Sequence, residues 1–415
     1  METGRLYPRH AARAAIEALS DTPVVVIQGA RQVGKSTLAS QLARSANNVV
    51  HVTLDDPATL AVAQSDPSFF VGQAGGGLLV IDEAQRAPDL ILPLKARVDQ
   101  DRAPGRFLLT GSADLLQVKG VGDSLAGRAE TIELMPLSQG EIASRQFPED
   151  FLSWLTSGPD GAGFAALRPA TVIQGGYPEP LTRTTSRTMR WFSSYVERLA
   201  SHDARELQHG GYADHLRALL ELLATGGRAE LVRARLARSL GVAENSVDAY
   251  LRLAAAMRLT VSWPSWGRSP HGRVSRRPKV SVTDTGLSAY LAGFTEAQAG
   301  VLGGREYFGA LTEQFVALEL QKQASWSTRP ARLFHYRNHS GHEVDIVAEL
   351  PDGRLVAIEV KSAQTVTAKA WSALERFRLD HGDRDVIGVV LHGGTNVAHL
   401  HGWLHLLPIS SLWQH

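Results

Sequence analysis

Hydrophobic positions fall into several regimes along this chain. In the first third, short unbroken apolar runs alternate with helical or loop stretches: Val24 to Ile27, Val49 to Leu54, Leu78 to Ile81, Phe107 to Leu109 and Thr131 to Leu134. Runs without polar alternation fit strands covered on both faces, and strands separated by helices predict a parallel sheet with helices on each side. Tyr7 to Ser20 reads as a short helix ahead of the first strand, and Pro136 closes the block. From Ser138 to about Thr225 the pattern is mostly helical, broken by Ser157-Gly158-Pro159-Asp160-Gly161 and by Gly175-Gly176-Tyr177-Pro178.

From Glu230 the spacing becomes helix, turn, helix, with Leu236, Ala237 and Leu240 apolar, Gly241 at the turn, and Val247, Tyr250 and Leu251 repeating beyond it. After Leu259, Trp, Pro, Gly and Arg predominate, as in a hairpin wing. The tail, from about Arg305, predicts a helix at Leu311 to Gln323, strands at Leu333 to Tyr336, Glu343 to Glu349 and Leu355 to Val360, a helix at Ala370 to Leu379, and strands at Val386 to Leu391 and Leu404 to Pro408. The expected class is α/β, with boundaries near 1–137 for the first sheet, 138–227 for a helical lid or connector, 228–290 for a winged helix and 305–415 for a small α/β domain. At 415 residues the chain has room for two or three such units.

Composition narrows the chemistry. With 44% hydrophobic and 20% charged residues the chain is expected to fold. The lack of cysteine excludes disulfides, thiolate catalysis and cysteine-ligated zinc. The opening METGRLYPRH has no hydrophobic signal core, and no run approaches the ~20 apolar residues of a membrane span, so a cytoplasmic protein without a membrane partner is expected.

Gly29-Ala30-Arg31-Gln32-Val33-Gly34-Lys35-Ser36, followed by Thr37, is a phosphate-loop pattern set between a buried strand and a helix. Glycines let main-chain N–H groups turn toward phosphate oxygens, and the helix N-terminus adds its positive end. Lys35 would reach the terminal phosphates of ATP, and the Ser36 hydroxyl would ligate Mg²⁺. The alternative is a Gly-rich turn beside a solvated lysine.

Strand Leu78 to Ile81 runs into Asp82 and Glu83 at the edge where ligands bind in such sheets, which makes Asp82 a candidate for the Mg²⁺ shell and Glu83 for polarising the attacking water. The competing role for the pair is to cap the next helix. Thr110 or Ser112, ending the next strand, would orient that water. Arg128 is a candidate charge-stabilising arginine in its own or a neighbouring site, weighed against an ordinary surface arginine.

Charge is segregated despite a net of +1: residues 228–280 hold eleven Arg or Lys and three Asp or Glu, a local +8. Arg268, Arg273, Arg276, Arg277 and Lys279 stand beside Trp263 and Trp266, a composition suited to phosphate backbones. Glu244 and Asp248 on the second helix of the pair speak against base reading, so the expected partner is DNA without sequence specificity. The alternative is a winged helix packed on the first domain, its arginines solvated or paired.

In the tail, Asp345 lies in one predicted strand, and Glu359 and Lys361 in the next, across a Pro-Asp-Gly turn. Two residues apart on one strand share a face, so both would look across at Asp345. Asp345 and Glu359 would hold Mg²⁺ or Mn²⁺ and Lys361 would orient or deprotonate a water, with Glu313 on the preceding helix as a further ligand or helper. A solvent-facing charge cluster, or a domain that binds DNA without cutting it, are the alternatives. His335, His339 and His342 fit no zinc-ligand spacing.

Taken together, the pieces at 29–36, 81–85 (Ile-Asp-Glu-Ala-Gln), 109–112 (Leu-Thr-Gly-Ser), 127–128 (Gly-Arg), 136–138 (Pro-Leu-Ser), 175–178 (Gly-Gly-Tyr-Pro) and 282–287 (Val-Thr-Asp-Thr-Gly-Leu) resemble the prokaryotic AAA-type ATPases with a carboxy-terminal domain of unknown function, DUF4143. The tail is similar to the restriction-endonuclease-like superfamily, whose Glu, Asp and Glu-x-Lys positions match Glu313, Asp345, Glu359 and Lys361. The resemblance implies an ATPase core, a winged helix and a nuclease-like tail. The resulting expectation is an ATPase that uses its cycle to bind, remodel or process DNA, as a possible homo-oligomeric ring. Its rival is an ATP-gated signalling or defence switch binding a protein partner, with no DNA cleavage.

Overall fold

The structure is a computed structural model describing residues 5–112, 125–146, 149–159, 161, 163–203, 215–269, 273 and 276–415. Asp160 of the expected Gly/Pro-rich loop and part of the expected wing lie outside those residues. The chain divides into two compact units, one of Met1–Leu137 with Ala256–Arg258, the other of Ser138–Ala255 with Leu259–His415.

The first unit is an α/β layer built on five parallel strands, β1 (Val24–Gln28), β2 (Val49–Thr53), β3 (Leu78–Asp82), β4 (Phe107–Gly111) and β5 (Ala129–Glu133), in the order β2-β3-β4-β1-β5. The three inner strands are buried at every position, which is why they read as unbroken apolar runs. Edge strand β5 starts two residues before its apolar run, because pairing in register with β1 from Val24 to Ala129 brings in the polar, solvent-facing Glu130. Helix Ile91–Gln100 lays Ile91, Leu94 and Val98 into one core with Leu79, Ile81, Phe107 and Leu109. Parallel strands bring the C-terminal ends of β1, β3 and β4 to one edge, and the candidate nucleotide residues other than Arg128 follow or end those strands.

The second unit contains helices Leu216–Thr225, Arg233–Leu240 and Glu244–Ala256 and a small antiparallel sheet β6-β8-β7 (β6 Ala229–Glu230, β7 Thr260–Trp263, β8 Lys279–Val282). Its larger sheet runs β13-β14-β12-β11-β10-β9. The strands are β9 (Arg332–Arg337), β10 (Glu343–Glu349), β11 (Leu355–Lys361), β12 (Val386–His392), β13 (Ala398–Leu400) and β14 (Leu404–Pro408). Helix Leu302–Trp326 begins nine residues before the apolar periodicity does, since Gly303, Gly304 and Gly309 blank its first turns.

Two of the sequence pieces carrying the family resemblance meet each other here. Asp284 caps helix Thr285–Leu291 by accepting from Leu287 N–H at 2.9 Å, and its other oxygen accepts from Gly176 N–H at 2.7 Å. The Gly-Gly-Tyr-Pro and Thr-Asp-Thr-Gly pieces are therefore two halves of one buried joint. Burial raises the Asp284 carboxyl above its ordinary range, against the pull of Lys322.

Candidate functional site

The phosphate loop joins β1 to helix Lys35–Ala43. Gln32 and Gly34 both take left-handed backbone, at φ 63° and 99°, which turns successive main-chain amides inward and makes an anion cradle. Gly29 has no room for a side chain, because a Cβ there would lie 2.1 Å from the Leu134 carbonyl oxygen. Ala30 and Val33 are buried, Arg31 is half-buried, and Gln32, Ser36 and Thr37 are open to solvent. Lys35 is buried, its ammonium donating to the carbonyls of Gly29 at 3.1 Å and Ala30 at 3.0 Å. Arg9, absent from the sequence reading, donates to the Val33 carbonyl at 2.6 Å and the Met135 carbonyl at 2.7 Å, bracing the loop from outside.

Ser36 Oγ donates to Asp82 Oδ1 at 3.0 Å, so the hydroxyl and carboxylate expected to share Mg²⁺ already share one place. Thr110 Oγ1 donates to the same oxygen and accepts from Glu83 N–H at 3.2 Å. Thr110 is fully buried and serves the acidic pair; the expected role of orienting water does not fit it. Ser112 does approach, donating to Glu83 Oε2 at 3.3 Å. Gln85, another residue not predicted, donates to Glu83 Oε2 and to Ser112 Oγ at 3.2 Å. Glu83 itself sits at φ 56°, a left-handed conformation rare for a side chain of its size, of the kind that collects at working sites. Ser36 and Asp82 fit a magnesium ion bound with nucleotide, and Glu83 lies beside them on the rim.

Arg128 is placed elsewhere. It precedes β5, where Val24 N–H donates to its carbonyl, so it stands at the N-terminal edge of the sheet. A five-residue strand separates that edge from the phosphate loop, roughly 16 Å. Its guanidinium donates to Asp99 at 2.6 Å and holds that carboxyl below the usual range. The expected action in its own site is therefore corrected: the strand direction puts it at the wrong end.

The wing expectation also needs correcting. Trp263 and Trp266 are buried, and Trp266 packs among Tyr336, Phe377 and His381 in the tail's core. Arg273 makes a two-pronged bond to Glu349, 3.0 Å on each side, and lies over Phe334. Arg268 pairs with Asp383 at 2.9 Å, and Arg276 donates to the Arg337 carbonyl at 3.1 Å. Lys279 is buried with its ammonium 3.0 Å from Glu313. Among the described residues, Arg277 of the five predicted DNA-contacting residues is exposed and has no side-chain hydrogen bond or ion pair. Arg233, Arg235 and Arg238 are exposed on their helix.

The tail carboxylates do converge. Strands β10 and β11 pair antiparallel with Ile346 opposite Ile358, which sets Asp345 level with Glu359, and Asp345 Oδ2 accepts from Val360 N–H at 2.9 Å. Lys361 donates to Glu359 at 2.6 Å. Glu313 enters from helix Leu302–Trp326, but its Oε1 already accepts from Arg228 at 2.9 Å and Lys279 at 3.0 Å. Burial alone would raise Glu313; Lys279 and Arg228 outweigh it and hold the carboxyl below its ordinary range. Burial, with Glu313 and Glu359 adding to it, pushes Asp345 well above its range, and burial raises Glu359 too. Among the described residues no group of three or more His, Asp or Glu is arranged to hold a metal, and no helix is long and apolar enough to cross a membrane.

Family models match the chain over three stretches: an AAA domain at residues 21–143, a domain of unknown function (DUF8612) at 168–298 and a domain of unknown function (DUF4143) at 308–412. Uncharacterized proteins of Mycobacterium bovis and Mycobacterium tuberculosis are each 31% identical over 358 residues, 86% of this chain and 74% of theirs. Among solved structures, AMPPCP-bound DnaA from Aquifex aeolicus is similar at 14% identity, covering 59% of this chain and 85% of that one with a TM-score of 0.26. A signal transduction ATPase with numerous domains from Pyrococcus horikoshii is similar at 11% identity, covering 76% of this chain and 49% of that one with a TM-score of 0.27. Scores of that size carry no argument about what this chain binds.

Proposed function

We propose that this chain, which belongs to the AAA-type ATPases with a carboxy-terminal DUF4143 domain, hydrolyses ATP with Mg²⁺ and uses the nucleotide cycle as a conformational switch toward a protein partner. The observation that carries the chemistry is the chain of contacts at one sheet edge, Ser36 to Asp82, Thr110 to Asp82 and Glu83, beside the cradle that holds Lys35. Mg²⁺ held by Ser36 and Asp82 would neutralise phosphate charge. Main-chain amides of 29–36 and Lys35 would position the triphosphate, and Glu83 would orient and polarise water. The test is phosphate release by pure protein with and without Mg²⁺, and in Lys35→Ala. Release that survives in Lys35→Ala, or that ignores Mg²⁺, defeats the assignment.

The switch reading is preferred to a motor on DNA because the wing's cations are already paired: Arg273 with Glu349, Arg268 with Asp383 and Lys279 with Glu313. Coupling to DNA backbone keeps support from the exposed Arg277, Arg235 and Arg238, while Arg233 is paired with Asp248 at 2.7 Å. Turnover measured against single-stranded, duplex and branched DNA at low salt separates the two. Stimulation lost as salt rises favours the DNA reading, and unchanged turnover on all three favours the switch.

A further inference from the structure

The resemblance of the tail to metal-dependent nucleases implies a divalent cation among Glu313, Asp345 and Glu359. We propose that this cluster takes no divalent cation, because Arg228 and Lys279 occupy the cation's place and make the cluster an electrostatic clasp between the small sheet and the tail. The inference does not depend on the proposed ATP chemistry.

Arg228 immediately precedes β6 and Lys279 opens β8, so both cations come from the small sheet, while the carboxylates come from the tail. Arg228 Nη1 donates to Glu313 Oε1 at 2.9 Å and to the Asp345 main-chain oxygen at 2.5 Å, reaching two of the three acidic residues at once. Lys279 Nζ takes the same Glu313 oxygen. An ion at an oxygen-ligand distance of about 2.0–2.6 Å from that oxygen would be pressed against both cationic groups.

Charge leads to the same conclusion. Three carboxylates, Glu313, Asp345 and Glu359, face three cations, Arg228, Lys279 and Lys361. A site that recruits a divalent ion needs surplus negative charge, and here the demand is met by side chains. Nor is Arg228 free to withdraw: its side chain is 0% exposed and lies over the buried Trp263 ring, 4.7 Å from the centroid. Glu359 Oε2, buried without a hydrogen-bond partner, is the feature that would welcome a metal, but it faces a neighbourhood already neutralised.

The test is Mn²⁺ binding to the nucleotide-free full chain, counted from the free-ion electron paramagnetic resonance signal, in an Asp82→Asn background that removes the phosphate-loop carboxylate. Asp82→Asn alone is expected to take up no Mn²⁺ at concentrations up to ~1 mM, the weak end of carboxylate sites. Adding Arg228→Met and Lys279→Met together should create one Mn²⁺ site per chain that disappears again with Glu359→Gln. The proposal is overturned if the Asp82→Asn protein binds one Mn²⁺ that Glu359→Gln abolishes, or if the folded protein lacking both cations gains none. Should the doubly substituted protein fail to fold, the Asp82→Asn and Glu359→Gln pair still decides.

Discussion

Replacing Glu83 with Gln is the most direct probe of how the nucleotide edge works. In the native site the carboxylate receives hydrogen bonds from Gln85 Nε2 and Ser112 Oγ on the same oxygen, and its main-chain N–H is tied to Thr110. A Gln amide keeps one oxygen, which can take the place of Oε2 toward Gln85 and Ser112. The left-handed backbone at φ 56° and the tie to Thr110 are then undisturbed. What disappears is the negative charge that polarises water as the terminal phosphoryl group leaves. Losing one main charge-stabilising contact costs about 2.7–4 kcal/mol, which is a ~100-fold to 1,000-fold fall in turnover. Nucleotide affinity should stay within about threefold, since Lys35, the amides of the loop and the Ser36–Asp82 pair are intact. Steady-state phosphate release at saturating ATP, paired with fluorescent-nucleotide titration, measures both quantities. Near-native turnover would remove Glu83 from the chemistry, and equal loss of binding and turnover would make its role structural.

Arg128→Ala should leave ATP turnover unchanged in steady-state assays, since the guanidinium is tied to Asp99 at the far sheet edge; a fall beyond tenfold would revive a role in a neighbouring subunit's site. Trp266→Ala should lower the free energy of urea unfolding by ~3–5 kcal/mol, the cost of emptying a buried aromatic site, whereas a solvent-exposed DNA anchor would lose almost nothing. His335 is buried, and burial lowers its pKa from 6.5 to about 4. The unfolded ring binds a proton that the folded one refuses, so its contribution is present above pH 6.5 and is lost as pH falls toward 4, by at most ~3 kcal/mol. Asp345 and Glu359, raised by burial, act with the opposite slope, so the difference between wild type and His335→Gln isolates the histidine. Parallel stability curves for the two proteins between pH 7 and 4.5 would refute its buried neutral state.

The first unit was legible because its determinants are local. A loop of eight consecutive residues carries its own strand, turn and helix, and β1, β3 and β4 are apolar throughout since both their faces are covered. The β10–β11 hairpin was legible for the same reason: a short turn fixes the register that sets Asp345 level with Glu359. Gln85 carried a signal that went unused, two residues beyond Glu83 and close enough to fold back on it.

The partners of the basic segment could not be read in this way, and the reason is physical. A count of charges along residues 228–280 records how many cations the segment supplies, but what they do depends on acids brought to them by the fold. Arg228 and Lys279 meet Glu313 across 85 and 34 positions, Arg273 meets Glu349 across 76, and Arg268 meets Asp383 across 115. Nothing local marks those pairings. The wing tryptophans pointed the same way for anyone weighing size over charge: an indole buries far more apolar area than a wing gains by exposing it, so Trp263 and Trp266 seek a core. Once Trp266 enters the tail beside Phe377, the arginines that follow it, Arg268 and Arg273, come with it and find carboxylates there. The local +8 therefore includes cations that pair the small sheet and its wing with individual carboxylates of the tail, Glu313, Glu349 and Asp383, and is no direct measure of affinity for phosphate.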